Sequence, residues 1–310
     1  MSDHIPMRVA VVGATGFQGG ATARLLAERN HRVRTLSRKT QADRPELLPG
    51  VSVAGGDLGR LEDVQQLFEG ATHAAVVLPL VYEAEKVMTY AQHIAKAARE
   101  SRVRRLVYNA NTRVPSRTTN VAAFETRRLA ETVLREGLAQ SDVELVVVRP
   151  PVYLDNLFSP WNGPALVNEG VLAYPLPADA PTAWLSHHDL AEAVYAALTV
   201  DGVAGRTFDI GGEQSLTGRE LAAAFSQGLG REIRYAPLEP LAFERGLAQI
   251  LGAPTAAGVA GIYHYMASGY EPALMAGDGG ESAEALSLKP APVEEWAASQ
   301  PWQIWAGEQA

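Results

Sequence analysis

From residue 8 onward the chain alternates short, unbroken apolar runs with longer stretches whose apolar residues recur every three or four positions. The short runs are Arg8–Val12, Arg32–Leu36, Val51–Ala54, Ala74–Leu78, Arg105–Tyr108 and Glu144–Val148. Stretches such as Val-Ala-Val-Val and Leu-Val-Val-Val lack in-and-out alternation, so they predict strands covered on both faces, as parallel sheets require. Between them, Gly19–Glu28, Leu61–Phe68, Glu83–Glu100 and Ala122–Arg135 have helical period. In the third, Val87, Tyr90, Ala91, Ile94, Ala97 and Ala98 mark one buried face. Strand and helix in alternation predict an α/β fold, a Rossmann-type doubly wound parallel sheet over residues 1–150.

Beyond Arg149 the texture changes. Pro150, Pro151, Pro160, Pro164, Pro175, Pro177 and Pro181 break the alternation, and residues 151–310 are expected to form a smaller, loop-rich α/β lobe over the carboxyl edge of the sheet. Within it, Ser186 and Asp189 predict the start of a helix running to Leu198. Thr217 and Glu220 form a capping box for another. Thr207–Ile210 and Glu232–Tyr235 are strand candidates, the first able to return to the main sheet, and Glu239 to Gly269 reads as one or two helices.

Composition narrows the chemistry. The chain has 310 residues, a formal net charge of −8, and no basic run longer than Arg104-Arg105 or Arg127-Arg128, which argues against a direct nucleic-acid surface. It contains no cysteine, so disulfides, thiolate metal sites and thiol nucleophiles are excluded and redox chemistry has to belong to a bound cofactor. No stretch is apolar for long enough to span a bilayer, and Met1 to Met7 is too short and polar for a signal peptide. A cytoplasmic protein, monomeric or homodimeric, is expected.

The first strand runs directly into Gly13-Ala14-Thr15-Gly16-Phe17-Gln18-Gly19, followed by a helical segment. Such a strand–turn–helix suits a dinucleotide: Gly13 permits the tight turn, Gly16 lets backbone approach a pyrophosphate, and Gly19 lets helix pack on strand. The second strand ends in Ser37-Arg38-Lys39 where NAD-preferring sites place an acidic residue. A guanidinium and an ammonium suit a 2′-phosphate instead, so NADP(H) is the expected cofactor. Gly56-Asp57-Leu58 after the third strand and Leu78-Pro79 at the end of the fourth fall in the order that adenine and ribose contacts would need.

The spacing G-x-x-G-x-x-G, with Ser37-Arg38-Lys39, Asp57-Leu58, Phe124-Glu125-Thr126-Arg127 and Arg149-Pro150, resembles the NmrA-like group of atypical short-chain dehydrogenase/reductases. That group contains quinone reductases, isoflavone and phenylcoumaran-type reductases, and non-catalytic NADP sensors. The resemblance implies that Thr15, Phe17 and Gln18 lie along the pyrophosphate towards the nicotinamide. It adds Asn109, Arg127, Pro151 and Tyr153 to the cofactor contacts.

Ordinary short-chain dehydrogenases carry Tyr-x-x-x-Lys on the helix after the fifth strand, where the lysine lowers the pKa of the tyrosine. Here that helix has no tyrosine, and Arg127 aligns with the lysine of the resembled group. An arginine can hold hydroxyls but does not shed a proton near neutrality. Leu129, Ala130, Val133 and Leu134 centre the expected apolar face, with Arg127 at its border and Arg128 pointing to solvent. Tyr82-Glu83-Ala84-Glu85-Lys86 matches Tyr-x-x-x-Lys after the wrong strand. Tyr82, Asn111 and Arg127 are therefore the catalytic candidates, Thr112 could share the work of Asn111, and Asn111, Tyr153, Asn156 and Trp161 are the substrate candidates. His187-His188 has no partner cluster, so no metal is expected. Gly-x-Ser-x-Gly is absent. Two functions stay open: an NADPH-dependent reductase of a small carbonyl, quinone or enone, and a non-catalytic NADP(H) sensor acting on a protein partner.

Overall fold

The computed structural model describes residues 6–39 and 49–306. Seven parallel strands form the main sheet: β1 (Arg8–Val12), β2 (Arg32–Ser37), β3 (Val51–Gly55), β4 (His73–Val77), β5 (Arg105–Asn109), β6 (Glu144–Val148) and, from much later in the chain, β8 (Thr207–Phe208). Their order is β3-β2-β1-β4-β5-β6-β8, so the winding reverses between β1 and β4. A doubly wound sheet opens a crevice at the carboxyl ends of its strands at that reversal.

The interior follows from the unbroken apolar runs. Ala10, Val12, Ala74, Val76, Leu106, Leu145 and Val147 face one side, under α2 (Leu61–Phe68), α3 (Ala84–Glu100) and α4 (Ala122–Leu138). Val9, Val11, Ala75, Val107, Val146 and Val148 face the other, under α1 (Phe17–Glu28) and α6 (His187–Thr199). The main sheet thus draws on both sides of residue 150: α6 covers it, and Val147 and Val148 of β6 pair with Thr207 and Phe208 of β8. Ser186 caps α6 by accepting from the Asp189 N–H at 3.0 Å, and Thr217 with Glu220 closes the capping box of α7 (Gly218–Leu229).

The second cluster of elements is α5 (Gly163–Glu169), β7 (Val171–Tyr174), α7, β9 (Arg234–Pro237), α8 (Pro240–Leu251) and α9 (Ala253–Ala267). The short α10 (Glu281–Ala285) and α11 (Val293–Ser299) follow. β7 and β9 pair in parallel, from Val171 opposite Arg234 to Tyr174 opposite Pro237. Their core is aromatic, with Tyr174, Trp184, Phe225, Trp296 and Trp302 buried together.

Three expectations are corrected. The first helix begins at Phe17, two residues before Gly19, so the glycine turn itself forms its first turn. On α4 the buried face is Phe124, Arg127, Ala130, Glu131 and Leu134, while Leu129 and Val133 are half-buried. Arg127 is thus inside, not at a border. The reason is pairing: its charge is satisfied internally, and Glu131 is likewise held by Arg135 and Arg149 at 3.0 and 2.8 Å. Arg128, expected in solvent, is half-buried and donates to the Pro115 and Arg117 carbonyls at 2.7 and 2.9 Å.

Candidate active site

The site begins where β1 stops. Gly13 turns the chain at φ +85°, and a Cβ there would lie 2.5 Å from the Val77 carbonyl oxygen and 2.7 Å from its Cγ1. A Cβ on Gly19 would lie 2.3 Å from the Gly13 carbonyl oxygen, so only glycine lets α1 seat this close to the turn. Gly16 meets nothing nearer than 3.4 Å, so its missing side chain serves the space outside the protein rather than the packing within it. The Gly20 N–H makes the first helical bond, to the Gly16 carbonyl at 2.8 Å. The N–H groups of Phe17, Gln18 and Gly19 have no acceptor among the described residues, and no side chain caps the helix. Three free donors at the positive end of a twelve-residue helix fit a pyrophosphate.

This turn opens on a cleft of about 510 Å³. Of the residues expected from sequence, Gly13, Thr15, Gly16, Phe17, Gln18, Gly19, Leu78, Pro79, Tyr82, Asn111, Pro151, Tyr153, Asn156 and Trp161 line it. They come from the ends of β1, β4, β5 and β6 and from the loop beyond, which is why a doubly wound sheet gathers them. Phe17 stands 85% exposed in the opening, and Trp161 is half-exposed.

Gln18 ties three of these strand ends together. Its Nε2 donates to Asn111 Oδ1, while its Oε1 accepts from Asn109 Nδ2 and from the Tyr153 hydroxyl, both at 2.9 Å. Asn109 Oδ1 in turn accepts from the Asn111 N–H at 2.8 Å. Asn111 sits at φ +66°, a left-handed backbone that asparagine tolerates better than most residues. Burial drives the Tyr153 hydroxyl far above the usual phenol range, so it stays a neutral donor. Thr112, next along, is 3% exposed, lines the cleft, and its Oγ1 has no partner. A buried hydroxyl without a partner costs stability unless a ligand completes it.

The remaining candidates lie off the cleft wall. Ser37 is buried at the end of β2, followed by Arg38 and Lys39, both exposed and with no carboxylate partner among the described residues. The register of β2 on β3, Ser37 opposite Gly55, sets this cationic pair beside Gly56-Asp57. Asp57 Oδ1 accepts from the Gly59 N–H at 2.7 Å, closing a turn, and Leu58 packs on the sheet core. Asn109 lies under the wall, 5% exposed.

Arg127 is the one candidate whose surroundings differ most from expectation. Its side chain does not reach the cleft wall; its guanidinium donates to the Pro79 and Val81 carbonyls at 3.1 and 3.2 Å. It lies 5.4 Å from the centre of the Tyr82 ring, and burial raises the Tyr82 hydroxyl against that arginine's influence. Tyr82 itself packs on α9: a Cβ on Gly258 would come within 2.0 Å of its ring.

Several wall residues carried no local signal. His187, discounted above as a metal ligand, lines the cleft between Phe17 and Tyr153, its ring 6.3 and 4.8 Å from theirs. Asp155 holds it, accepting from its backbone N–H at 2.8 Å with the Nδ1 at 3.2 Å. Burial works against the Asp155 carboxylate, but the bonds from His187 outweigh it and keep its pKa below the ordinary value. The far wall is Tyr174, Phe243, Leu247, Leu251, Val259, Ile262, Tyr263 and Met275, brought in by β7, the α8–α9 pair and the loop before α10. Nothing near any of them in sequence marks a site; only the tertiary fold collects them. Among the described residues no cluster of His, Asp and Glu is built to hold a metal, and no helix is long and apolar enough to cross a membrane.

A doubly wound parallel sheet with an open glycine turn at its reversal defines a dinucleotide-binding α/β protein. The chain belongs to the NmrA-like family, whose profile matches residues 6–297. It is 32% identical over 234 residues to a (4-alkanoyl-5-oxo-2,5-dihydrofuran-3-yl)methyl phosphate reductase of Streptomyces griseus, covering 74% of this chain and 77% of that one. It is 28% identical over 228 residues to an NAD(P)H azoreductase of Xenophilus azovorans, covering 73% and 76%. In architecture it matches the Citrobacter sp. triphenylmethane reductase complexed with NADP(H), with a TM-score of 0.73 at 19% identity over 94% of this chain and 99% of the other.

Proposed function

We propose that the protein is an NADPH-dependent reductase of a small conjugated acceptor, a carbonyl, quinone or enone, working in the cytoplasm as a monomer or homodimer. The observation that carries this is continuity: the free N–H groups of Phe17, Gln18 and Gly19 open into the same cleft as an aromatic chamber formed by Tyr82, Tyr174, Phe243 and Tyr263. A dinucleotide seated on the turn and a flat molecule in the chamber would share one continuous cleft. The relatives bearing reductase names support the same activity.

The residues present fit NADP(H). Phe17, Gln18 and Gly19 would hold the pyrophosphate, Arg38 and Lys39 the 2′-phosphate with Ser37 beside them, and Asp57-Leu58 the adenine side. Leu78, Pro79 and Asn109 would border the ribose, with Pro151 and Tyr153 on the nicotinamide side. Once bound, the nicotinamide supplies a hydride. The chain's own contribution is positioning and exclusion of water. Gln18, Asn109, Asn111 and Tyr153 hold one another's donors and acceptors, so the rim beside the turn is fixed before any ligand arrives. Arg127 acts as a positioning residue through the Pro79–Tyr82 segment that it clamps. Tyr82, Asn111 and the unpartnered Thr112 hydroxyl are the donors on the near side of the cleft, and Asn156 and Trp161 border its far side.

The test is a titration with NADPH and NADH followed by a quinone, enone and carbonyl panel monitored by NADPH absorbance. Turnover of at least one conjugated acceptor is expected. NADPH binding with no turnover across the panel would overturn this function in favour of a sensor.

A further inference from the structure

Deep in the aromatic chamber, three polar side chains form a chain of hydrogen bonds that ends unfinished. Asn156 Nδ2 donates to the Tyr174 hydroxyl at 2.9 Å, and the Tyr174 and Tyr263 hydroxyls lie 2.6 Å apart. Two hydroxyls bring two hydrogens, and their mutual contact uses only one. With the Asn156 amide donating to Tyr174, the second has no acceptor among the described residues. Tyr174 already meets two partners through its oxygen, whereas Tyr263 meets one, so Tyr263 has the open side. Both residues line the cleft, and they are 2% and 6% exposed. In the free cleft water can take that hydrogen, and a ligand oxygen that displaces the water would accept it instead. Burial pushes the Tyr263 hydroxyl up to about 12, which keeps it protonated and a donor across the physiological range.

The walls also state what they do not accept. Among the described lining residues there is no Lys, Arg, Asp or Glu, and the single imidazole, His187, is turned to Asp155. An ionised group entering the chamber would lose hydration without gaining a counter-charge.

Resting on the reductase function above, we propose that Tyr263, supplied by α9 and backed by Tyr174 and Asn156, is the hydrogen-bond donor that seizes the acceptor oxygen of an uncharged, flat, conjugated substrate. The C-terminal lobe thereby provides a tyrosine that α4 lacks, as a donor that binds and orients the acceptor. The Streptomyces relative carries a phosphate in the name of its substrate; this chamber has no cation to receive one.

Binding is the direct readout, measured by quenching of tryptophan fluorescence in NADP⁺-saturated protein, which has no hydride to give. The probes are 1,4-naphthoquinone, naphthalene and 1,4-naphthoquinone-2-sulfonate. Tyr263→Phe should weaken naphthoquinone about five- to tenfold and leave naphthalene and NADP⁺ affinity unchanged, with a small loss of Tm from the broken bond to Tyr174. Tyr174→Phe, which frees the Tyr263 hydroxyl rather than removing it, should weaken naphthoquinone less than Tyr263→Phe does. In cofactor-free protein, where no nicotinamide cation supplies a positive charge, the sulfonate should bind the wild type at least about tenfold more weakly than naphthoquinone. Equal losses for naphthoquinone and naphthalene, no loss for either, or a larger loss in Tyr174→Phe would overturn the role of Tyr263. Equal affinity for the sulfonate would overturn the uncharged substrate class. If the wild type turns over no quinone yet the Tyr263→Phe discrimination appears, the reductase function fails and the donor assignment stands.

Discussion

Replacing Arg127 separates two roles, the cofactor contact that the sequence resemblance implies and the loop clamp that the geometry gives it. Arg127 is fully buried, and its guanidinium bridges the Pro79 and Val81 carbonyls beneath the Tyr82 ring. Arg127→Met keeps most of the apolar stem and removes the charge. Two carbonyls then lose a charged donor, worth about 1.5–3 kcal/mol each, and relief of the buried cation's desolvation offsets part of the loss. A net destabilisation of about 2–4 kcal/mol follows, or roughly 3–6 °C in Tm for a chain of this size. Arg127→Lys should recover less than half, because one ammonium cannot span both carbonyls as a planar fork does. Differential scanning fluorimetry gives Tm, and NADPH fluorescence titration gives Kd. The KM for naphthoquinone should rise several-fold as the Tyr82 wall loosens, whereas NADPH affinity should change less than about threefold, because the free N–H groups of the turn are untouched. Loss of NADPH binding at unchanged Tm would refute this reasoning and return Arg127 to the cofactor contact that the resemblance implies.

Three further outcomes follow from the same geometry. Gly19→Ala, whose Cβ would meet the Gly13 carbonyl at 2.3 Å, should abolish NADPH binding with a clear loss of Tm, whereas Gly16→Ala should keep Tm and lose affinity. Arg38→Ala with Lys39→Ala should weaken NADPH by about tenfold or more and leave NADH unchanged in parallel titrations. His73 is held at about 4 from an ordinary 6.5, chiefly by burial and then by Arg104 and Arg105. Its folded pKa is therefore depressed, so its full contribution is present above pH 6.5 and is lost as pH falls towards 4, by about 3 kcal/mol in all. Urea unfolding of wild type and His73→Asn across that window should show a steeper slope in the wild type, the difference being the share of His73.

The strands, the glycine turn and the two capped helices could be read from sequence because each is a local pattern: an apolar run, a spacing, or a cap three residues from its partner. The wall between β4 and α9 could not. Arg127 sits on the buried face of a helix, and only the carbonyls of Pro79 and Val81, some 46 residues away, explain why a charge is tolerated there. Tyr174 and Tyr263 are 89 residues apart and each resembles any core aromatic until the pair is seen with its unspent hydrogen. β9 was legible as the strand candidate Glu232–Tyr235, but β7 and its pairing with β9 were hidden, since a parallel pair with a long intervening segment has no turn to announce it. His187 was visible as one of two adjacent histidines, but its place in the cleft depends on Asp155 and on the approach of α6 to α1.

The central claim is that this fold couples a bound NADPH to reduction of a neutral acceptor in the adjoining chamber. A single-turnover experiment tests it most directly: the protein premixed with one equivalent of NADPH is mixed with 1,4-naphthoquinone, and absorbance at the nicotinamide band is followed. Loss of that band in step with quinone reduction is expected, faster than in buffer and slowed in Tyr263→Phe. A band that persists in the presence of saturating quinone, with NADPH demonstrably bound, would contradict it.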